Sequence, residues 1–405
     1  MMQVCEHEKC CGCMACVNIC PKACIKMDIN SRGEEIPAIN EKNCIDCGLC
    51  QKVCPVIRGN QGHETKKVIA AWSTDNTVRK TSASGGIASE VYRLYALKNQ
   101  WYAGCKMDVD HKCRFYLSQK DDQYLEFQNS KYVYSFMGDL YKKIESVLKN
   151  GEKAVMVGLP CQISGLKNYL SVRNIDIENL ITIDLICHGI VPSMYLIEWI
   201  KQCEKKFHRH AEAVCFRNPV YETQNYAFTL ADKKGEFYKK YVWEHDSYHF
   251  SYHHALDYRE SCYRCLFASR SREGDLTLGD FSGLGKVTSF DGEVQNVSCI
   301  LVNTDKGEKL IKMLEDEGSI IGVERPSKEA FLYETQLNRP SIPHKKRDKF
   351  LKYYQETKKF SYSVDKALKS EKVIYKVKCI CGVYKIKSMI PGKIKYKLKK
   401  KMRLE

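Results

Sequence analysis

Eight cysteines in two evenly spaced runs constrain this chain more than any other feature. Cys10, Cys13, Cys16 and Cys20 follow a Cys-x2-Cys-x2-Cys-x3-Cys-Pro pattern ending at Pro21, and Cys44, Cys47, Cys50 and Cys54 repeat it up to Pro55. Three thiolates on one tight loop hold three corners of an iron–sulfur cubane, and the fourth thiolate of each run reaches the other cubane. The spacing therefore predicts two 4Fe-4S clusters with crossed ligation, one on Cys10, Cys13, Cys16 and Cys54 and the other on Cys44, Cys47, Cys50 and Cys20. Gly12, Ala15 and Gly48 are small enough for such loops. Structural zinc would instead favour paired Cys-x2-Cys knuckles closed into a tetrahedron. Cys5, Cys11 and Cys24 are left over, and because Cys11 in place of Cys10 would break the spacing, Cys11 is read as a packed bystander.

The chain holds 22 cysteines in 405 residues. In a secreted protein that density implies disulfides, but the start Met1-Met2-Gln3-Val4-Cys5-Glu6-His7 has no apolar signal core and many cysteines lie in short repeats. We expect a reducing cytoplasm and metal ligation. With 44% hydrophobic and 28% charged residues, the chain is long enough for two or three packed cores, which excludes a mini-protein and a disordered polymer. No apolar run nears the roughly 20 residues needed to span a bilayer, so a cytoplasmic protein is expected, soluble or peripheral on the inner face of the membrane.

Charge is segregated. Residues 341–405 hold 21 Lys and Arg against 5 Asp and Glu, which accounts for the whole net charge of +16 and leaves residues 1–340 balanced. A neutral body without a recognition motif gives no reason to expect nucleic acid as a partner. The basic tail interleaves lysine with apolar residues, as in Ile394-Lys395-Tyr396-Lys397-Leu398. That pattern suits an anionic membrane surface, at about 1 kcal/mol per basic residue. An acidic electron carrier such as ferredoxin or flavodoxin is the second partner in view, and a partly disordered solubilising tail is the plain alternative.

Between the two cysteine runs, residues 26–39 read as two short strands around a polar turn at Gly33, and this first unit ends near Arg58. A polar linker leads to a strand at Val68–Ser73, a Ser/Gly turn at Thr81–Gly86, and a helix whose apolar positions fall at 87, 91, 94, 95 and 97. Residues 140–148 have helical spacing that Asn150-Gly151 stops; Ala154–Gly158 and Leu180–Ile186 read as buried strands, with a strand-turn-helix unit after the first. Further strands are expected at 276–280 and 297–302 and a helix at 307–317, with regular order lapsing after Pro343.

A second cysteine set lies in Gly158-Leu159-Pro160-Cys161-Gln162, Ile186-Cys187-His188-Gly189 and Ser261-Cys262-Tyr263-Arg264-Cys265. Spacing alone says little, since isolated cysteines also occur as small packed residues. The N-terminal unit resembles a two-cluster bacterial ferredoxin. Taken in order, Ser82-Ala83-Ser84-Gly85-Gly86, Ser130–Ser135, Gly158–Gln162, Cys187–Ser193 and Gly274–Gly283 resemble the coenzyme F420 hydrogenase/dehydrogenase beta-subunit family, over roughly residues 5–320. The implied fold is α+β: an N-terminal 2x(4Fe-4S) ferredoxin-like domain at 1–58, fused to a mixed α/β flavoprotein domain in two parts at 66–150 and 151–340, with the basic tail at 341–405.

The resemblance implies FAD held by Ser84, Gly85, Gly86, Ser130, Lys131, Tyr132, Gly158 and Pro160, with Lys131 offering a cation to phosphate or ring. It also implies a third 4Fe-4S cluster on Cys161, Cys187, Cys262 and Cys265. One departure stands out: the family's pattern at Gly279-Asp280-Phe281 continues with tryptophan, and this chain has Ser282. His188 and Asp280 are candidate proton-handling catalytic residues, against structural readings as a turn histidine and a helix cap. His245, His249, His253 and His254 carry no accompanying acid pattern and are read as solvated or packed.

Three functions follow as expectations. One is an iron–sulfur flavoprotein oxidoreductase that moves electrons between ferredoxin-type clusters and a coenzyme F420-like or other two-electron carrier. Another is a non-catalytic electron-transfer subunit docking on a partner enzyme. A third, by analogy with family members that serve surface-polysaccharide biosynthesis, is a membrane-side role in that pathway. No Gly-x-Gly-x-x-Gly opens a βαβ unit, so a nicotinamide cofactor is not indicated.

Overall fold

The computed structural model describes residues 3–221, 226–244 and 246–373. Its N-terminal unit contains α1 (Ala15–Ile19), the hairpin β1 (Ile25–Ile29) and β2 (Glu35–Ile39), α2 (Leu49–Lys52) and α3 (Pro55–Arg58). The hairpin is antiparallel, Ile25 facing Ile39 and Met27 facing Pro37, and turns at Gly33 with φ of 80°. This is the polar turn expected from the sequence.

The body is built on a mixed sheet of nine strands among the described residues: β3 (Lys67–Ser73), β4 (Trp101–Met107), β5 (Cys113–Ser118), β6 (Ser135–Phe136), β7 (Ala154–Gly158), β8 (Leu180–Leu185), β12 (Leu276–Asp280), β13 (Ser298–Val302) and β14 (Ile320–Arg325). They run in the order β14-β3-β13-β12-β8-β7-β4-β5-β6. The middle of the sheet, from β4 through β7 and β8 to β12, is parallel. Helices cover both faces, as parallel strands buried on two sides require. The helices of this part are α4 (Asn76–Thr81), α5 (Ile87–Leu97), α6 (Leu140–Lys149), α7 (Pro160–Val172), α10 (Asp305–Asp316) and α11 (Ser327–Phe331).

Side-chain alternation splits β3 between the two faces. Ile69 and Ala71 pack with Val91 and Leu94 of α5 and Leu310 of α10, whereas Val68 and Ala70 pack with Phe281, Cys299 and Ala330. On the opposite half of that second face, Met156 of β7 meets Ile144 of α6 and Leu166 of α7, and the N-terminal unit adds Met14 and Ile19 to the same core. Parts 66–150 and 151–340 share this one sheet, since β3 lies hydrogen-bonded between β13 and β14.

A second layer holds α8 (Ser193–Phe207), the antiparallel meander β9 (Ala213–Asn218), β10 (Ala227–Asp232) and β11 (Gly235–Tyr241), and α9 (Ser247–His253). Its core is aromatic: Trp199, Phe216, Phe228 and Tyr248. Here the expected loss of order after Pro343 is corrected. Residues 347–367 form α12 (Arg347–Thr357) and α13 (Phe360–Ala367), and buried Phe350, Tyr354, Phe360 and Val364 close the aromatic core. The basic segment is thus folded onto the body as far as Leu368, while residues 374–405, with the Lys-rich stretch assigned to a membrane surface, lie outside the described residues.

The N-terminal unit is locked to the body by a buried ion pair. Arg259 Nη1 stands 3.0 Å from Glu35 Oε2, and Arg259 Nη2 donates to the carbonyls of Glu35 (2.7 Å) and Cys10 (3.3 Å). Glu35 also accepts from the Ser193 amide at 2.9 Å, and Tyr134 Oη donates to the Gly12 carbonyl at 2.8 Å. These bonds fix the first cysteine loop against the sheet.

Candidate functional site

Each cysteine run folds around its own space. Cys20, Cys44, Cys47 and Cys50 line one cavity of about 290 Å3 together with Cys24. Cys10, Cys13, Cys16 and Cys54 line a second, smaller one together with Cys5 and Cys11. The crossed arrangement is the spatial one: Cys54 lies with the first run and Cys20 with the second. Cys47 is exposed and Ile45 beside it is 57% exposed, so the second set opens to solvent, whereas Cys10, Cys13, Cys16 and Cys54 are buried. Gly12 has φ of +71°, and a Cβ there would meet Tyr134 Cε2 at 2.6 Å, so the first loop needs glycine on two counts.

The four cysteines of the second set, far apart in sequence, meet in a third cavity of about 360 Å3. Cys161 stands in the first turn of α7, Cys187 just past the end of β8, and Cys262 and Cys265 on the single-turn helix Glu260–Arg264 and its end. The last loop is held by Arg272, which is 1% exposed: its Nη2 pairs with Asp184 Oδ1 at 2.8 Å and its Nη1 donates to the Phe267 carbonyl at 3.1 Å. Burial, aided by the neighbouring Cys265, pushes the Cys187 thiol up to about 12. A bare thiolate is costly there, and a cationic cluster iron would restore it. Cys11 lines both this cavity and that of the first run, bridging them by contacts with Cys13 and Cys161.

A fourth cavity of about 440 Å3 lies at the C-terminal ends of β8 and β12, lined by Ser84, Gly86, Ser130, Tyr132, His188, Asp280 and Ser282. The N-terminus of α5 borders it, with Gly86 as an N-cap in the left-handed region and no side-chain cap. Such a helix end favours a phosphate. A fifth cavity, lined by Ser130, Lys131, Tyr132, Gly158, Cys187 and His188, shares residues with both the fourth and the third. The thiol-lined space and the Ser/Gly-lined space are therefore joined through Cys187 and His188.

Several expected residues have other duties than foreseen. Gly85 is not on a cavity wall: a Cβ there would strike the Ala71 carbonyl at 2.3 Å, and its amide donates to Ser298 Oγ at 2.9 Å. Ser84 Oγ donates to the Val297 carbonyl at 3.0 Å. Lys131 Nζ is held by the carbonyls of Phe127, Gln128 and Asn129 at 3.2, 2.8 and 3.3 Å, so its charge organises its own loop. The Tyr132 ring stacks on Tyr252 at 4.5 Å. Pro160, at the first position of α7, lines the thiol cavity rather than the Ser/Gly one.

His188 is half-exposed, with Nε2 3.7 Å from Glu334 Oε1. Asp280 ends β12 with no helix after it, so it caps none; it pairs with Arg217 Nη1 at 2.9 Å. Ser282, where the family pattern has tryptophan, donates to Glu334 Oε2 at 3.2 Å. Burial pushes the Glu334 carboxyl up from its usual range. Arg217 and Glu334 line the fourth cavity and carry no sequence signal, because their partners are distant in the chain. His249 and His253 lie in the aromatic layer, against Phe228 and Tyr226 respectively, and His245 lies outside the described residues.

Two thiol-ringed cavities on repeated cysteine runs, docked on a mixed sheet with a further thiol set, define an iron–sulfur protein of the electron-transferring kind. Residues 9–57 match the 4Fe-4S dicluster domain, and residues 151–328 match the C-terminal part of the coenzyme F420 hydrogenase/dehydrogenase beta subunit. The F-subunit of the F(420)H(2) dehydrogenase of Methanosarcina mazei is 23% identical over 347 residues, covering 81% of this chain and 88% of that protein. Ferredoxin-1 of Caulobacter vibrioides is 44% identical over 46 residues, 11% of this chain and 36% of the ferredoxin. A solved structure of the F420-reducing nickel–iron hydrogenase complex from Methanosarcina barkeri aligns with a TM-score of 0.41 and 14% identity, covering 76% of this chain and 91% of that one. Among the described residues, no helix is long and apolar enough to cross a membrane.

Proposed function

We propose that this chain is an iron–sulfur flavoprotein oxidoreductase that relays electrons between its ferredoxin-type clusters and a flavin-coupled two-electron carrier of the F420 class. The observation that carries the reading is the continuity of the cavities: Cys11 links the first cysteine set to the third, and Cys187 with His188 links the third to the Ser/Gly-lined space. Each of the first two cavities gathers the four thiols a cubane needs, and Cys161, Cys187, Cys262 and Cys265 supply four more for a third. The uncapped end of α5 and the volume beside it fit the diphosphate and ring of FAD. A flavin supplies the exchange of one hydride for two single electrons. The protein's own part is to position and to move a proton: His188, beside Glu334, is placed to carry one at the mouth of the fourth cavity, and Arg217 fixes the Asp280 side chain by an ion pair at 2.9 Å. A redox carrier protein would dock at the exposed Cys47 edge.

The test is iron, acid-labile sulfide and flavin per chain on anaerobically purified protein. Three clusters give about twelve irons and two give about eight. Cys161→Ser is expected to lower the count from about twelve to about eight while leaving the flavin in place. About eight irons in the parent, with no flavin retained or rebound, would overturn this reading in favour of the electron-transfer subunit that never meets a substrate. The polysaccharide role drew on the tail, whose residues 374–405 lie outside the described residues, and the site adds nothing to it.

A further inference from the structure

A cluster of side chains between the β4–β5 turn and the end of α8 has no part in the electron route. His111 occupies the tip of the β4–β5 hairpin, Glu204 lies in the last turn of α8, and His210 follows that helix. We propose that His111, Glu204 and His210 form a zinc site that ties the hairpin to the end of α8, with a fourth position taken by water.

The geometry is that of a near-assembled ligand set. His210 Nδ1 stands 2.7 Å and His111 Nε2 3.6 Å from the same Glu204 oxygen, Oε1, and the three ligand atoms all lie within 4.8 Å of one another. Tetrahedral zinc with bonds of about 2.0–2.2 Å separates its ligands by roughly 3.4 Å, so His210 and Glu204 would part by about 0.7 Å and the widest pair would close by up to about 1.4 Å to admit the ion. The set is partly preformed. His111 is 6% exposed although its backbone is left-handed, with φ of 61°. The Ala211 amide donates to Glu204 Oε1 at 2.8 Å and keeps the carboxylate turned to the two rings. Asp110, next to His111, is engaged by Arg114 at 2.7 and 2.8 Å and is not a donor. Two imidazoles with one carboxylate select zinc over magnesium or calcium, which take oxygen ligands. No thiol belongs to the set, which keeps it chemically apart from the cysteine cavities.

The experiment uses the full chain with its clusters loaded, equilibrated anaerobically with Zn2+ and freed of excess. One zinc per chain is expected, with an X-ray absorption fine structure showing only nitrogen and oxygen neighbours at about 2.0–2.1 Å. His210 is 69% exposed, so His210→Ala leaves the fold alone, and it is expected to weaken zinc binding by more than about tenfold. Absence of stoichiometric zinc, a sulfur shell at about 2.3 Å that places the ion on cysteines, or undiminished binding by the variant would each overturn the proposal.

Discussion

Arg259→Met tests whether one buried ion pair holds the cluster-bearing unit on the sheet. The side chains of Arg259 and Glu35 are 2% and 0% exposed, and the guanidinium serves two main-chain carbonyls besides the carboxylate. Removing it leaves the Glu35 carboxyl in the interior with the Ser193 amide and hydroxyl as its remaining side-chain partners among the described residues. Breaking one side of such a pair costs about 3–5 kcal/mol. At about 2 °C per kcal/mol for a chain of this size, the melting temperature should fall by about 6–10 °C. Glu35→Leu is expected to cost a similar amount, by stranding the guanidinium. The two changes together remove the whole pair, so the double variant should lose less than the sum by about 2 kcal/mol or more. Thermal unfolding would be followed by circular dichroism at equal cluster loading, because bound clusters stabilise on their own account. Either a single variant that melts with the parent, or a double variant that loses the full sum, refutes the coupling.

Three further outcomes follow from the structure. Gly12→Ala forces a Cβ to within 2.6 Å of Tyr134 at φ of +71°, so it should destabilise the protein by about 1–3 kcal/mol and release iron from the first set ahead of the second, seen as a faster early phase under chelator. Burial holds the Asp257 carboxyl up at about 7, against 3.8 for the ordinary group, with Ser251 Oγ as its hydrogen-bond partner. The native state therefore keeps a proton that the unfolded chain releases, and stability falls as pH rises from about 4 to 7 and levels off above. Asp257→Asn should flatten that slope in denaturation measured between pH 5 and 8. Phe350→Ala empties a fully buried site against Tyr195 and Phe360 and is expected to cost about 3–5 kcal/mol in denaturant titration; a surface-like cost would deny that the basic segment belongs to the core.

What could be read in advance follows the range of the interactions involved. The helix at Ile87–Leu97 and the strands at Ala154–Gly158 and Ser298–Val302 declare themselves because their apolar periodicity is local. Residues 347–367 do not, since lysine dominates their average and hides apolar positions four apart: Phe350 and Tyr354, then Phe360 and Val364. In the meander of β9 to β11 the last strand sets lysine and tyrosine on both faces, and none of the three shows clean alternation. At the site, spacing alone placed the eight N-terminal cysteines. The meeting of Cys161, Cys187, Cys262 and Cys265 depends on three separate loops. Lys131 turned to its own loop carbonyls, and Arg217 and Glu334 entered the cavity, through contacts that no local pattern encodes.

The interleaved sheet gives the protein a calendar. During synthesis the eight N-terminal thiols are complete once Cys54 emerges, but the third set waits for Cys265, and β3 waits for β13 and β14. At about 5–20 residues per second, that interval is roughly 10–40 s. For that time the ferredoxin-like unit trails from the ribosome with its own thiols assembled and its docking partner Arg259 not yet made. Iron can reach the N-terminal thiols before the body exists, and Cys161, Cys187, Cys262 and Cys265 can meet only after the chain beyond β8 has been made.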